Sequence, residues 1–214
     1  MADNNFVFID NIYRSRLTLL DILEERGYDV NKYRKFSPAE ATAAASSFSS
    51  LSFKAAKKND NTQICDIRYT TAGRQKILEL FDEYSDEECD NTEVVVMIPG
   101  FVTDAHHTIA LKQYTRLKEN EERRKLRVSF FSISMIVVNP LKHILVPKHE
   151  IVPQDKHKEL MESLLITTKT KLPEIKFHVD PIARCIGAVP GDIIKITRYS
   201  ASAGETIIYR VCSP

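Results

Sequence analysis

Val94-Val95-Val96-Met97-Ile98 is an unbroken run of five apolar residues, four of them β-branched, stopped at once by Pro99-Gly100. A run this short and this apolar predicts a strand buried on both faces, with a turn at its end and a central place in a sheet. Its surroundings supply the partners such a strand needs. Ile64 to Tyr69 alternates as a short strand, and Thr71 to Tyr84 carries Ile77, Leu78 and Phe81 at helical spacing. Thr103 or Asp104 can cap a helix running to about Asn120, and Leu126 to Val138 reads as a long strand ended by Asn139-Pro140. Helices alternating with buried strands predict an α/β first domain built on a mixed sheet.

Upstream, Asp10 or Asn11 can cap a helix whose apolar positions include Ile12, Leu19, Leu20 and Leu23, with Gly27 as its left-handed stop and Tyr28 packing back. Ser37-Pro38-Ala39-Glu40 is a capping box with proline at the first helical position, which predicts a helix to about Ala56. The Ala/Ser bias of that run leaves a flexible segment as the alternative. From Glu79 to Glu93 there are eight acidic residues and no basic one, the pattern of a solvated face or loop.

A second domain is expected beyond residue 140. Leu145-Val146-Pro147-Lys148-His149 leads into a helix carrying Leu160, Met161, Leu164 and Leu165. A capped turn at Asp180-Pro181, a tight turn at Pro190-Gly191 and a strand over Ile193 to Arg198 follow, then a turn at Ala203-Gly204 and a strand over Thr206 to Val211. The predicted domains are therefore 1–140 and 141–214. They hold 19 basic against 21 acidic residues and 11 against 8, respectively. The whole chain carries a formal charge of +1, without the basic excess of a free-standing nucleic-acid binder.

Cys65, Cys89, Cys185 and Cys212 form no Cys-x-x-Cys pair, which argues against a zinc ribbon and against a disulfide framework and predicts reduced thiols. His106-His107 is the one tight histidine cluster, but adjacent helical residues diverge by about 100° and chelate poorly together. No metal and no cofactor is expected. The opening residues lack the charged and apolar regions of a leader, and no apolar run approaches the roughly 18 residues of a membrane span, so no membrane partner is expected and the chain reads as soluble and intracellular.

In order along the last third stand Leu145-Val146-Pro147-x-His149, Leu172-Pro173-x-Ile175, Asp180-Pro181-x-Ala183-Arg184, Gly187-x-x-x-Gly191-Asp192, Ile194-Lys195-Ile196-x-Arg198, Ser200-x-Ser202-Ala203-Gly204 and Tyr209-Arg210. This ordered set, over about residues 143–212, resembles the assembly domain of the fifth-largest subunit of eukaryotic RNA polymerase and, over the same stretch, its archaeal counterpart. Earlier in the chain the resemblance is confined to Arg26-Gly27-Tyr28 and to the Val94–Ile98 strand with its following helix. Pro153, Cys185 and Ser202 depart from the family's usual hydroxyl, aromatic and threonine residues, which suits a divergent lineage, including one carried by a large DNA virus.

The resemblance implies an α/β jaw-like N-terminal domain and a small α+β assembly domain in a subunit without chemistry of its own. Its expected partners are the largest polymerase subunit, the rest of the polymerase core and, weakly and within the complex, downstream duplex DNA. Its expected place is the nucleus of a cell, or the virion or virus factory of a virus. Arg184, Lys195, Arg198, Tyr209 and Arg210 would belong to the surface or frame that meets the large subunit. Gly187, Gly191 and Gly204 would serve as turn residues. The stretch Pro99 to His107 corresponds to a DNA-proximal loop in which Thr103, His106 and His107 can donate to phosphates, with Arg116 or Arg123 to Lys125 adding longer-range attraction. The plainer alternatives are internal contacts for the first group and a helix cap with a solvated charged helix for the second.

Two other classes compete. A metal-dependent nuclease would need converging carboxylates and a lysine, and Glu174-x-Lys176 is the nearest short pattern. A free-standing transcription regulator would differ by not copurifying with polymerase. Neither a Gly-x-x-x-x-Gly-Lys phosphate loop nor a Gly-x-Ser-x-Gly elbow occurs.

Overall fold

The computed structural model describes residues 2–117, 125–200 and 204–214. The chain folds as two compact units, residues 1–139 and 140–214.

In the N-terminal unit, helix α1 (Ala2–Glu25) buries Ile12, Leu19, Leu20, Ile22 and Leu23. It begins eight residues before the expected Asp10 cap, and the added turns place Phe8 6.1 Å from Phe48, ring to ring. It stops at Gly27, whose φ of +89° lets Tyr28 N–H reach the Leu23 carbonyl at 3.0 Å and Gly27 N–H that of Glu24 at 2.9 Å, closing the helix end on itself.

Helix α2 (Pro38–Ala44) has the predicted capping box, with Glu40 N–H donating to Ser37 Oγ at 3.2 Å and Ser37 N–H to Glu40 Oε2 at 2.7 Å. The expected continuation to Ala56 is wrong. Serine hydroxyls fold back on nearby carbonyls, Ser46 on Ala43 and Ser50 on Ser47, and the next residues gain more from a sheet than from a helix. Strand β1 (Phe53–Ala56) pairs antiparallel with β2 (Ile64–Tyr69).

Helix α3 (Arg74–Asp82), which buries Ile77 and Phe81, leads to β3 (Thr92–Ile98), and helix α4 (Asp104–Thr115) leads to β4 (Arg127–Ser132). β2, β3 and β4 run parallel in the order β1-β2-β3-β4, so the sheet is mixed and the valine run lies between two neighbours. Every residue from Glu93 to Ile98 is buried. The long strand expected to reach Val138 ends at Ser132, because Ser132 and Ser134 bond through their hydroxyls at 2.8 Å and the chain turns there. Ile133 and Ile136 are still buried after the turn, which is why the sequence read as strand. The helix expected to reach about Asn120 ends earlier, at Thr115, because Arg116 leaves the helical conformation with ψ +138°; residues 118–120 lie outside the described residues.

The C-terminal unit is a second mixed four-stranded sheet. β5 (Lys148–Val152), β7 (Ile193–Ser200) and β8 (Gly204–Ser213) pair antiparallel, and β6 (Glu174–Lys176) joins β8 in parallel, giving the order β5-β7-β8-β6. Helix α5 (His157–Ser163) is shorter than its apolar pattern implied. Leu160 packs on the cluster of Leu172, Ile193 and Val211, but Leu164 and Leu165 fall past the helix end and are exposed, Leu165 with φ +56°. Helix α6 (Pro181–Ile186) is capped by Asp180, whose Oδ1 accepts from Ile182 and Ala183 N–H at 2.8 and 3.0 Å, and ends on Gly187 at φ +74°. All four cysteines are free and buried. No helix among the described residues is long and apolar enough to cross a membrane.

Candidate functional site

Cross-strand partners in an antiparallel sheet share a face. The register of β5, β7 and β8 therefore sets Val152, Ile193 and Val211 on one face, followed along the sheet by Glu150, Lys195 and Tyr209, then Lys148, Thr197 and Ile207, then Tyr199 and Glu205. The first rung is covered: Leu160, Ile166 and Leu172 pack over it, with the edge of Tyr209. The remaining rungs are open. Tyr199 is 82% exposed and Ile207 47%, and the neighbouring Ile144 and Leu145 are 95% and 82% exposed.

Two grooves follow this face, one of about 550 Å³ including Val152, Pro153, Leu160, Lys195 and Tyr209, the other of about 810 Å³ including Ile144, Leu145, Lys195, Thr197 and Tyr199. Large apolar side chains clustered with charged ones on an open sheet are the signature of a protein-binding surface. Lys148 spends its charge on Glu150 at 2.7 Å, and that hydrogen bond lowers the Glu150 pKa.

The structure brings only some of the sequence candidates together. Lys195 and Tyr209 stand directly opposite one another on the open face. Arg198 and Arg210 alternate to the other face, where Arg210 Nη1 donates to the Glu174 carbonyl at 2.8 Å and staples β6 to β8, an internal contact. Arg184, on α6, is half-buried, and that burial lowers its pKa. Gly191 has φ +95° and Gly204 φ +68°. Ser202 and Ala203 lie outside the described residues. Sequence reasoning did not count Tyr199, Ile207, Ile144 or Leu145 among the partner-binding residues, although Leu145 opens the family-like set and Ile207 lies in a predicted strand. The signal available was the alternation Lys195-x-Thr197-x-Tyr199, which sets one strand face apart.

At the carboxyl end of β3, Phe101 is 75% exposed beside the start of α4. Thr103 N–H donates to His106 Nδ1 at 3.0 Å, so Nδ1 is unprotonated and Thr103 and His106 are bonded to each other. The His106 ring lies 4.9 Å from that of Phe130, and burial lowers its pKa from 6.5. At neutral pH this residue offers a phosphate a neutral Nε2–H and no charge. Arg116 is paired with Asp82 at 2.8 Å, His107 is half-buried, and Arg123 and Arg124 lie outside the described residues.

The cap has a pH signature. A histidine with a depressed folded pKa contributes stability that is present above its unfolded pKa and lost as pH falls through the folded one. An NMR titration is expected to place His106 below 6.5, and His106→Ala should flatten this acid-side loss of stability. A His106 that titrates at or above its unfolded value would mean that the cap bond does not hold the neutral ring in solution.

Among the described residues, no group of three or more His, Cys, Asp or Glu side chains is placed to hold a metal. Glu174 and Lys176 pair with each other at 3.2 Å on the surface, and Ser213 Oγ donates to the same carboxylate at 3.1 Å.

Comparison with known proteins adds to this geometry. Residues 138–212 match the family described as RNA polymerase Rpb5, C-terminal domain. The chain is 28% identical over 209 residues to the DNA-directed RNA polymerases I, II, and III subunit rpabc1 of Dictyostelium discoideum, covering 95% of this chain and 98% of that one. It is 54% identical over 69 residues to the DNA-directed RNA polymerase subunit Rpo5 of Archaeoglobus fulgidus, covering 32% of this chain and 88% of the relative. Against the Rpo5 of Sulfurisphaera tokodaii it is 46% identical over 79 residues, or 37% and 92% of the two chains.

Proposed function

This chain belongs to the Rpb5 family of DNA-directed RNA polymerase subunits, and we propose that its C-terminal unit docks on the largest subunit while its N-terminal unit forms part of a jaw near downstream DNA. It is a non-catalytic subunit that works with the rest of the polymerase wherever the genome is transcribed. The observation that carries the docking half is the half-open sheet face bearing Lys195, Tyr199, Ile207 and Tyr209 in the unit that matches the family. The archaeal relatives support the same division, since 69 matching residues span 88% of one of them: a polymerase subunit can consist of little more than one such unit.

The jaw half rests on the resemblance of the Pro99–His107 stretch and on Phe101 beside it. With Arg116 neutralised by Asp82 and His106 neutral, DNA contact there is weak and without base preference. Photo-crosslinkers placed at Tyr199 and Phe101 in assembled polymerase test both halves at once. The expected products are the largest subunit from Tyr199 and downstream DNA from Phe101. Tyr199 adducts confined to other subunits, or Phe101 adducts that contain no DNA, would each sink the corresponding half.

A further inference from the structure

The β7–β8 hairpin reaches past both of its neighbours. β5 covers β7 only as far as Thr197, and β6 pairs with β8 only from Val211 to Ser213. The direction of the remaining backbone groups follows from the ladder. Cys212 N–H donates to the Asp192 carbonyl at 2.9 Å, which makes 192 and 212 a hydrogen-bonded pair, and bonded pairs recur every second residue. Thr206, Ile208 and Arg210 therefore turn their N–H and C=O groups to β7, while Glu205, Ile207, Tyr209 and Val211 turn theirs outward. Val211 confirms the phase, its N–H donating outward to the Pro173 carbonyl at 2.9 Å.

Among the described residues nothing bonds the outward groups of Glu205, Ile207 and Tyr209. The side chains of the same three residues line the open face. An unpaired edge flanked by exposed apolar side chains is ordinarily blunted by a short strand, a bulge or a proline, and is otherwise a template for another strand. The charges indicate what kind of strand: β7 and β8 carry Lys195, Arg198 and Arg210 against Glu205 alone, and Lys195 and Arg198 make no ion pair among the described residues. Resting on the docking reading above, we propose that the outer edge of β8 from Glu205 to Tyr209 receives an extended, acidic segment of the largest subunit as a fifth strand. That segment pairs its backbone with the three outward residues, lays apolar side chains beside Ile207 and Tyr199, and sets one carboxylate against Lys195 on that face and, from an alternate position, another against Arg198 on the opposite face.

Hydrogen exchange read amide by amide tests this on the full chain, alone and assembled into polymerase. The amides of Ile207 and Tyr209 are expected to exchange freely in the isolated chain and to become protected in the enzyme, with those of Thr206 and Ile208 protected in both. If Ile207 and Tyr209 keep exchanging in assembled enzyme, the added strand is overturned although the docking stands. Protection of both in the isolated chain, rising with its concentration, would assign the edge to a second copy and overturn it too. Failure of the chain to enter polymerase at all would remove the docking reading first.

A variant gives an independent readout. Ile207→Pro removes only an outward N–H, a position where an edge strand accepts proline, and is expected to keep the melting transition while losing retention by polymerase. If it folds and is retained like the parent chain, the proposal fails; if it does not fold, the exchange measurement decides alone.

Discussion

Glu93→Ala will destabilise the N-terminal unit by about 3–5 kcal/mol, the range for removing one partner of a buried ion pair. Glu93 enters the sheet at the start of β3, where its carboxylate pairs with the Arg26 guanidinium, the two side chains being 7% and 5% exposed. Tyr28 Oη donates to Glu93 Oε2 at 2.9 Å, and burial together with the Glu93 charge pushes the Tyr28 hydroxyl far above its ordinary pKa. One carboxylate thus ties both residues flanking the Gly27 helix stop to the central strand. Its removal takes away the neutralising charge beside a buried guanidinium and the acceptor of a buried hydroxyl. Glu93→Gln keeps an acceptor for Tyr28 and should lose less. Urea unfolding measures the difference, and an alanine variant within about 1 kcal/mol of the parent would rank the pair with ordinary surface bridges.

Gly191→Val is expected to weaken folding and polymerase association together. Val189 to Asp192 form a turn with proline and glycine at its centre: Asp192 N–H reaches the Val189 carbonyl at 3.0 Å, and Asp192 Oδ2 accepts from Val189 N–H at 3.0 Å. Gly191 stands at φ +95° with open space where a Cβ would point, so the cost is backbone strain and not a clash. A β-branched residue there costs about 1–3 kcal/mol, and each kcal/mol lowers Tm by roughly 4–8 °C in a unit of this size. Because Gly191 N–H also donates to the Cys212 carbonyl, the strain falls on the pairing that phases the whole β7–β8 ladder. Lys195→Glu should part the two effects, leaving the melt unchanged and lowering retention by polymerase. A Gly191→Val chain that melts and binds like the parent would show the turn to be dispensable.

The legible parts of this fold were those whose signals are local. The valine run announced a central strand because burial on both faces leaves no polar position to alternate with. Gly27 and the Ser37–Glu40 box marked a helix end and a helix start because their hydrogen bonds span only three to five residues. The end of the second helix was not legible, since Phe53–Ala56 is a strand only by virtue of the partner strand that begins at Ile64. Leu164 and Leu165 misled for a related reason, helical spacing having been read where the chain had already left the helix. Glu93 was hidden in an acidic run whose other members are mostly solvated.

The docking face was half legible. Lys195 and Tyr209 came from the resemblance, and only the register shows that they meet across a rung while Arg198 and Arg210 point away. The open edge of β8 could not be read from sequence at all, because it depends on where β6 stops pairing.

Affinity purification of the tagged full-length chain from its own cells, with mass spectrometric counting of the proteins recovered, tests membership of the polymerase most directly. One copy of this chain is expected for each copy of the largest RNA polymerase subunit, retained through high-salt washing. Recovery of the chain alone, or with polymerase only in traces, would contradict that role and favour a free-standing regulator.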